Sequence, residues 1–124
     1  MAYRGIKMEN NIVIFQKENF EIQFKADFNA HTIWATQSQI AELFEINRTT
    51  ALRHINNILN DEEVDRKSNV QKMHITNSDK PVMFYSLDII LSVGYRTNSS
   101  KAILFRRWAN NLNHEFNDIQ RTLS

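Results

Sequence analysis

The sequence predicts an α+β domain. Three observations carry that expectation: β-prone runs paired around polar turns, two short helical stretches separated by a four-residue turn, and an amphipathic stretch of more than twenty residues near the C-terminal end. A chain of 124 residues with 42% hydrophobic side chains has enough apolar material for one core and too little for two ordinary domains. The expectation is therefore a loose terminus over residues 1–11 and a single domain over 12–124.

Ile12-Val13-Ile14-Phe15 and Phe20-Glu21-Ile22-Gln23-Phe24 flank the polar Gln16-Lys17-Glu18-Asn19 and read as a hairpin, with Thr32-Ile33-Trp34 as a third strand. Thr36 is a good N-cap, and Ile40, Ala41 and Phe44 follow at helical spacing, which predicts a helix over Gln37 to Phe44. Asn47 or Thr49 caps a second helix whose buried stripe is Ala51, Ile55, Ile58 and Leu59. That helix ends in the charged loop Asp61-Glu62-Glu63.

Residues 69–76 and Val82-Met83-Phe84-Tyr85 alternate about the turn Asn77-Ser78-Asp79-Lys80-Pro81 and read as a second hairpin. Ser86 then caps a helix that carries Leu87, Ile90 and Leu91 on one side and Ile89 and Val93 on the other, the pattern of a central helix, with Gly94 and Asn98 as its expected stops. The last helix, about residues 99–122, has one stripe of Phe105, Trp108, Ala109, Leu112, Phe116, Ile119 and Leu123. It is longer than one core of this size needs, so its far end is expected either to pair with a second copy, as a homodimer, or to be a frayed tail.

Between Thr36 and Ile55 the order is helix, turn, helix. The small Ala41 sits where two helices must touch, and Ile40, Phe44, Ile46, Ala51 and Ile55 are apolar where the crossing must be fixed. With a hairpin following, the whole reads as a winged helix-turn-helix with an N-terminal β-hairpin, a wing hairpin and a long C-terminal helix. In such a unit the start of the second helix enters the major groove of duplex DNA, where arginine forks onto guanine and hydroxyls hold phosphate. The candidate DNA-binding residues are Asn47, Arg48, Thr49, Thr50, Arg53, His54 and Asn57 on that helix, with Lys72 and Lys80 on the wing. Glu45 stands in the turn where a positive φ favours glycine.

The remaining composition narrows the classes. With two glycines, one proline and no cysteine, the chain has no material for a Gly-rich phosphate loop, a disulfide framework or a thiolate zinc site. His31, His54, His74 and His114 lack ligand spacing, so neither metal nor cofactor is expected and no catalytic set can be nominated. No apolar run reaches membrane-spanning length, and no small-molecule ligand is evident, so a cytoplasmic protein is expected. The net charge of +1 is uninformative, although from Pro81 onward five Lys/Arg face three Asp/Glu. The alternative to a DNA reader is a protein-interaction module, antitoxin-like or an adaptor, on a helix-turn-helix scaffold that no longer binds DNA.

Ile33-Trp34-Ala35-Thr36-Gln37-Ser38-Gln39-Ile40-Ala41-Glu42-Leu43-Phe44, the run Phe84-Tyr85-Ser86-Leu87-Asp88-Ile89-Ile90-Leu91-Ser92-Val93-Gly94-Tyr95-Arg96, and Phe105-Arg106-Arg107-Trp108-Ala109 together resemble the N-terminal region of the RhuM-type virulence protein family. The resemblance extends over roughly residues 11–116 and departs from the family's usual glycine at Glu45. It implies a bacterial or mobile-element protein with a DNA-binding region; the leading expectation from the helix-turn-helix itself is a transcriptional regulator or mobile-element control protein that binds duplex DNA.

Overall fold

The computed structural model describes residues 2–3, 6–17, 19–97 and 99–123, and the side chains of all of these except residues 2, 3, 17, 120, 122 and 123. Asn98, expected to stop a helix, and the side chain of Leu123, expected on the last stripe, lie outside the described residues. The architecture is α+β: one antiparallel sheet and five helices, the last of them long. The strands are β1 (Ala2–Tyr3), β2 (Ile6–Glu9), β3 (Ile12–Lys17), β4 (Phe20–Asp27), β5 (Thr32–Ala35), β6 (Val70–Met73) and β7 (Val82–Ser86), in the spatial order β1-β2-β3-β4-β5-β7-β6. The helices are α1 (Gln37–Phe44), α2 (Arg48–Asn60), α3 (Arg66–Asn69), α4 (Leu87–Thr97) and α5 (Ser100–Leu123).

Residues 1–11, expected as a loose terminus, instead supply two strands. Ile6 is fully buried and Met8 packs on the core, while Lys7 and Glu9 between them stay exposed, so a period of two hides in a stretch of mixed polarity. In the first hairpin Val13 pairs with Phe24 and Phe15 with Ile22, which puts four buried side chains on one face of the sheet. Phe105 of α5 packs on that face, its ring centroid 5.5 Å from Phe15, 6.2 Å from Phe24, 6.0 Å from Phe44 and 5.4 Å from Trp108.

β7 lies between β5 and β6, with Trp34 opposite Ser86 and Ala35 opposite Tyr85. Because β5 runs through Thr36 directly into α1, the second hairpin is hydrogen-bonded to the strand that launches the helix pair. Thr36 makes a reciprocal capping box with Gln39: its Oγ1 accepts from the Gln39 N–H at 3.1 Å, and Gln39 Oε1 accepts from the Thr36 N–H at 3.0 Å. The Gln39 amide also donates to the Gln23 carbonyl at 2.8 Å, fastening α1 to β4. At the start of α4, Thr32 Oγ1 accepts from the Leu87 N–H at 3.0 Å. Ser86 Oγ accepts from the Ile89 N–H at 3.4 Å and donates to Asn69 Oδ1 at 2.6 Å.

One expectation is corrected here. Gly94 does not stop α4, which continues through it to Thr97. A Cβ there would stand 3.0 Å from Phe44 Cζ and 3.4 Å from the Ala102 Cβ, so the glycine is a packing device at the α1–α4–α5 contact. Gly94→Ala should therefore fail to deliver the roughly 1 kcal/mol that alanine normally gains over glycine in a helix, and Gly94→Leu should cost about 1–3 kcal/mol by overpacking; urea unfolding measures both. Along α5, Phe105, Trp108, Ala109, Leu112 and Phe116 are all buried in the chain's own core, and Ile119 is half-buried.

Candidate nucleic-acid interface

The helix pair is set by two chain reversals. α1 ends in a Schellman motif: the Ile46 N–H donates to the Ala41 carbonyl at 3.0 Å and the Glu45 N–H to the Glu42 carbonyl at 3.3 Å, with Glu45 at φ 56°, ψ 43°. The same motif closes α2, where Glu63 bonds back to Ile58 at 3.1 Å and Glu62 sits at φ 57°. Both turns put a glutamate where glycine is the usual occupant.

Glu45 tolerates its place with help from afar. Its carboxylate lies 3.0 Å from Lys101 Nζ at the start of α5, and the same ammonium stands 4.1 Å from the centroid of the Phe20 ring. Left-handed backbone costs a non-glycine residue about 1 kcal/mol, and an exposed ion pair returns less than that. Glu45→Gly should accordingly stabilise the fold by about 0.5–1 kcal/mol, measured as a rise in the urea midpoint; a fall would mean that the tie to Lys101 dominates.

α2 begins at Arg48, one residue earlier than the four-residue turn anticipates, because Asn47 takes the N-cap and its Oδ1 accepts from the Thr50 N–H at 2.8 Å. The start of α2 is tied to the start of α1 by the Gln37 side chain, which donates to the Arg48 carbonyl at 2.8 Å. This is a positioning role that no local sequence signal announces. Ala51, Ile55, Ile58 and Leu59 face the core, leaving Arg48, Thr49, Arg53 and Asn57 exposed and Thr50 half-buried. Asn57 lies about 14 Å further along the axis than Arg48 at 1.5 Å per residue, well beyond the first two turns.

His54 is half-buried on the α4 side. Its burial, with the charges of Arg53 and Arg96 nearby, pulls its pKa below the ordinary histidine value, so the ring is neutral at pH 7. Arg96 reaches from α4 to pair with Glu63 and, at 3.5 Å, with Asp61, so the acidic loop after α2 is answered by a cation. Among the described residues no group of three His, Asp or Glu is placed to hold a metal ion.

The second hairpin adds one more of the expected cations to the same neighbourhood. A groove of about 280 Å³ runs between the start of α1, Arg48 and Leu52 of α2, and Val82, Met83 and Tyr85 of β7. Lys72 is the cross-strand partner of Met83 and so projects from the same face of the hairpin. Lys80 stands apart in the loop between the strands, exposed beside Asp79. Among the described residues, Arg48, Arg53, Lys72 and Lys80 enter none of the ion pairs, whereas Arg96 and Lys101 are both engaged. No helix among the described residues is long and apolar enough to cross a membrane.

No curated protein and no solved structure matches the chain. A family model does match: that of the Virulence protein RhuM family, over residues 63–119. The matched stretch holds the second hairpin, α4 and most of α5, and leaves α1 and α2 outside. Over that stretch, less than half of its length, the chain is similar to the Virulence protein RhuM family.

Proposed function

We propose that the chain binds duplex DNA as a winged helix-turn-helix, with α2 in the major groove and the β6–β7 hairpin as the wing, and that it serves as a bacterial or mobile-element transcriptional regulator in the cytoplasm. The observation that carries this reading is the start of α2: Arg48, Thr49 and Arg53 stand exposed on a helix whose other face is buried, with Arg48 in one groove with the hairpin that bears Lys72. Arginine at that place suits a guanine edge, and threonine and lysine suit phosphate. The strand order β5-β7-β6 supports the wing, since the hairpin that follows the helix pair is bonded to the strand that precedes it. The reading requires no cofactor and no small-molecule ligand.

The test is a titration of the protein against random duplex and against its own upstream DNA across a range of salt. Selective binding that weakens steeply with salt supports the reading; binding indifferent to salt, or none at low salt, ends it. One observation favours the second reading, a protein-interaction module. Tyr95 and Ile103 are exposed at the α4–α5 corner beside Arg106, whose guanidinium lies 4.6 Å from the Tyr95 ring centroid.

A further inference from the structure

Three large apolar side chains are exposed among the described residues: Ile75, Tyr95 and Ile103. A single exposed isoleucine is ordinary on a protein surface, so the setting of Ile75 decides its meaning. It stands in the loop between β6 and β7, and that loop is braced. The Ser78 N–H donates to the Ile75 carbonyl at 3.2 Å, Ser78 Oγ donates to the Lys80 carbonyl at 3.1 Å, and the Lys80 N–H donates back to Ser78 Oγ at 3.3 Å. Asn77 takes φ 66° to close the turn. The loop thus presents Ile75, 43% exposed, on a tied turn.

Charge at the tip nearly cancels, since Lys80 is followed back by Asp79 and both are exposed. A tip built to grip phosphate would carry unbalanced cations; this one offers an aliphatic side chain, and the unbalanced lysine, Lys72, lies on the strand below. The strands below the loop are held by the ladder from β6 through β7 to β5, the strand that leads into the helix pair.

We infer that Ile75 is an apolar wedge for the minor groove of the duplex whose major groove α2 reads. The inference rests on the DNA-binding reading. Apolar side chains enter minor grooves between base steps. The groove floor at A·T pairs offers only acceptors, while G·C adds the guanine amino group, which blocks an aliphatic side chain and is left without a partner beneath it. The wedge therefore selects A·T steps beside the α2 footprint and contributes nothing to the release of counterions.

The experiment uses a duplex enriched by the wild-type protein from a random pool, with the flanking steps made as A·T, as inosine·C, which lacks the amino group, and as G·C. Wild type, Ile75→Ala and Lys72→Ala are compared across salt. Ile75→Ala is expected to lose about tenfold in affinity on the A·T and inosine·C duplexes, little on G·C, and to keep the wild-type salt slope. Lys72→Ala is expected to weaken all three and to lower the slope by about 1. Wild-type affinity of Ile75→Ala on every duplex, or an altered salt slope, overturns the wedge and leaves the DNA reading intact. Failure of the wild-type protein to bind any duplex overturns both.

Discussion

Phe105→Ala will cost the fold about 3–5 kcal/mol, the range for removing a large buried aromatic side chain. Its ring is fully buried and meets Phe15, Phe24, Phe44 and Trp108, which come from β3, β4, α1 and α5 itself, so one truncation opens a void where sheet, helix pair and last helix join. Total stabilities of such domains run to about 5–15 kcal/mol, and the loss translates into a fall of roughly 10–20 °C in the melting midpoint. Ile103→Ala is the matched control on the same helix: 49% exposed, it should change stability by less than about 0.5 kcal/mol. A Phe105→Ala protein that melts within a few degrees of wild type would show that the sheet and α1 hold together without α5.

The double substitution Arg48→Ala with Arg53→Ala is expected to remove selective duplex binding. Each arginine that reads a base is worth about 1–3 kcal/mol, and the two stand more than one turn apart on α2, so their losses should nearly add to a drop of about 10²- to 10⁴-fold. Neither side chain packs in the core or enters an ion pair among the described residues, so the melting point should hold while affinity falls. Wild-type affinity in the double variant would transfer the function to a partner protein and point first to the corner at Tyr95 and Ile103.

What the sequence displayed was local. Thr36 and Asn47 sit one residue before their helices and announce them by chemistry within a turn; Ser86 does the same for α4. The positive φ at Glu45 was also legible, because the helix pair requires a reversal at that step. The rest depends on contacts between distant residues. Lys101, which balances Glu45, is fifty-six positions away. Gly94 reads as a helix stop until the Phe44 ring is seen pressing on it. β2 alternates over only four residues, too few to stand out beside Lys7 and Glu9. The pairing of β7 with β5 and the four-residue α3 have no signal in spacing.

In the candidate interface, the exposed arginines of α2 follow from the helical period once the cap is known. The meeting of Arg48 with the Lys72 face of the hairpin does not, since it requires the sheet order. Gln37, which holds the two helix starts together, looks in sequence like any polar residue on a first turn.

The placement of Trp34 and Trp108 has a practical consequence. They are the chain's two tryptophans and are only 4% and 9% exposed, and the indole N–H of Trp108 is buried with no hydrogen-bond acceptor among the described residues. Their emission should be blue-shifted in the folded protein and move to the red as one signal on denaturation. Neither lies on α2 or in the loop that carries Ile75, so adding a binding partner at that face should leave the spectrum almost still. Intrinsic fluorescence will follow the integrity of the core, and detecting occupancy of the surface will take a dye placed on α2 or on the ligand.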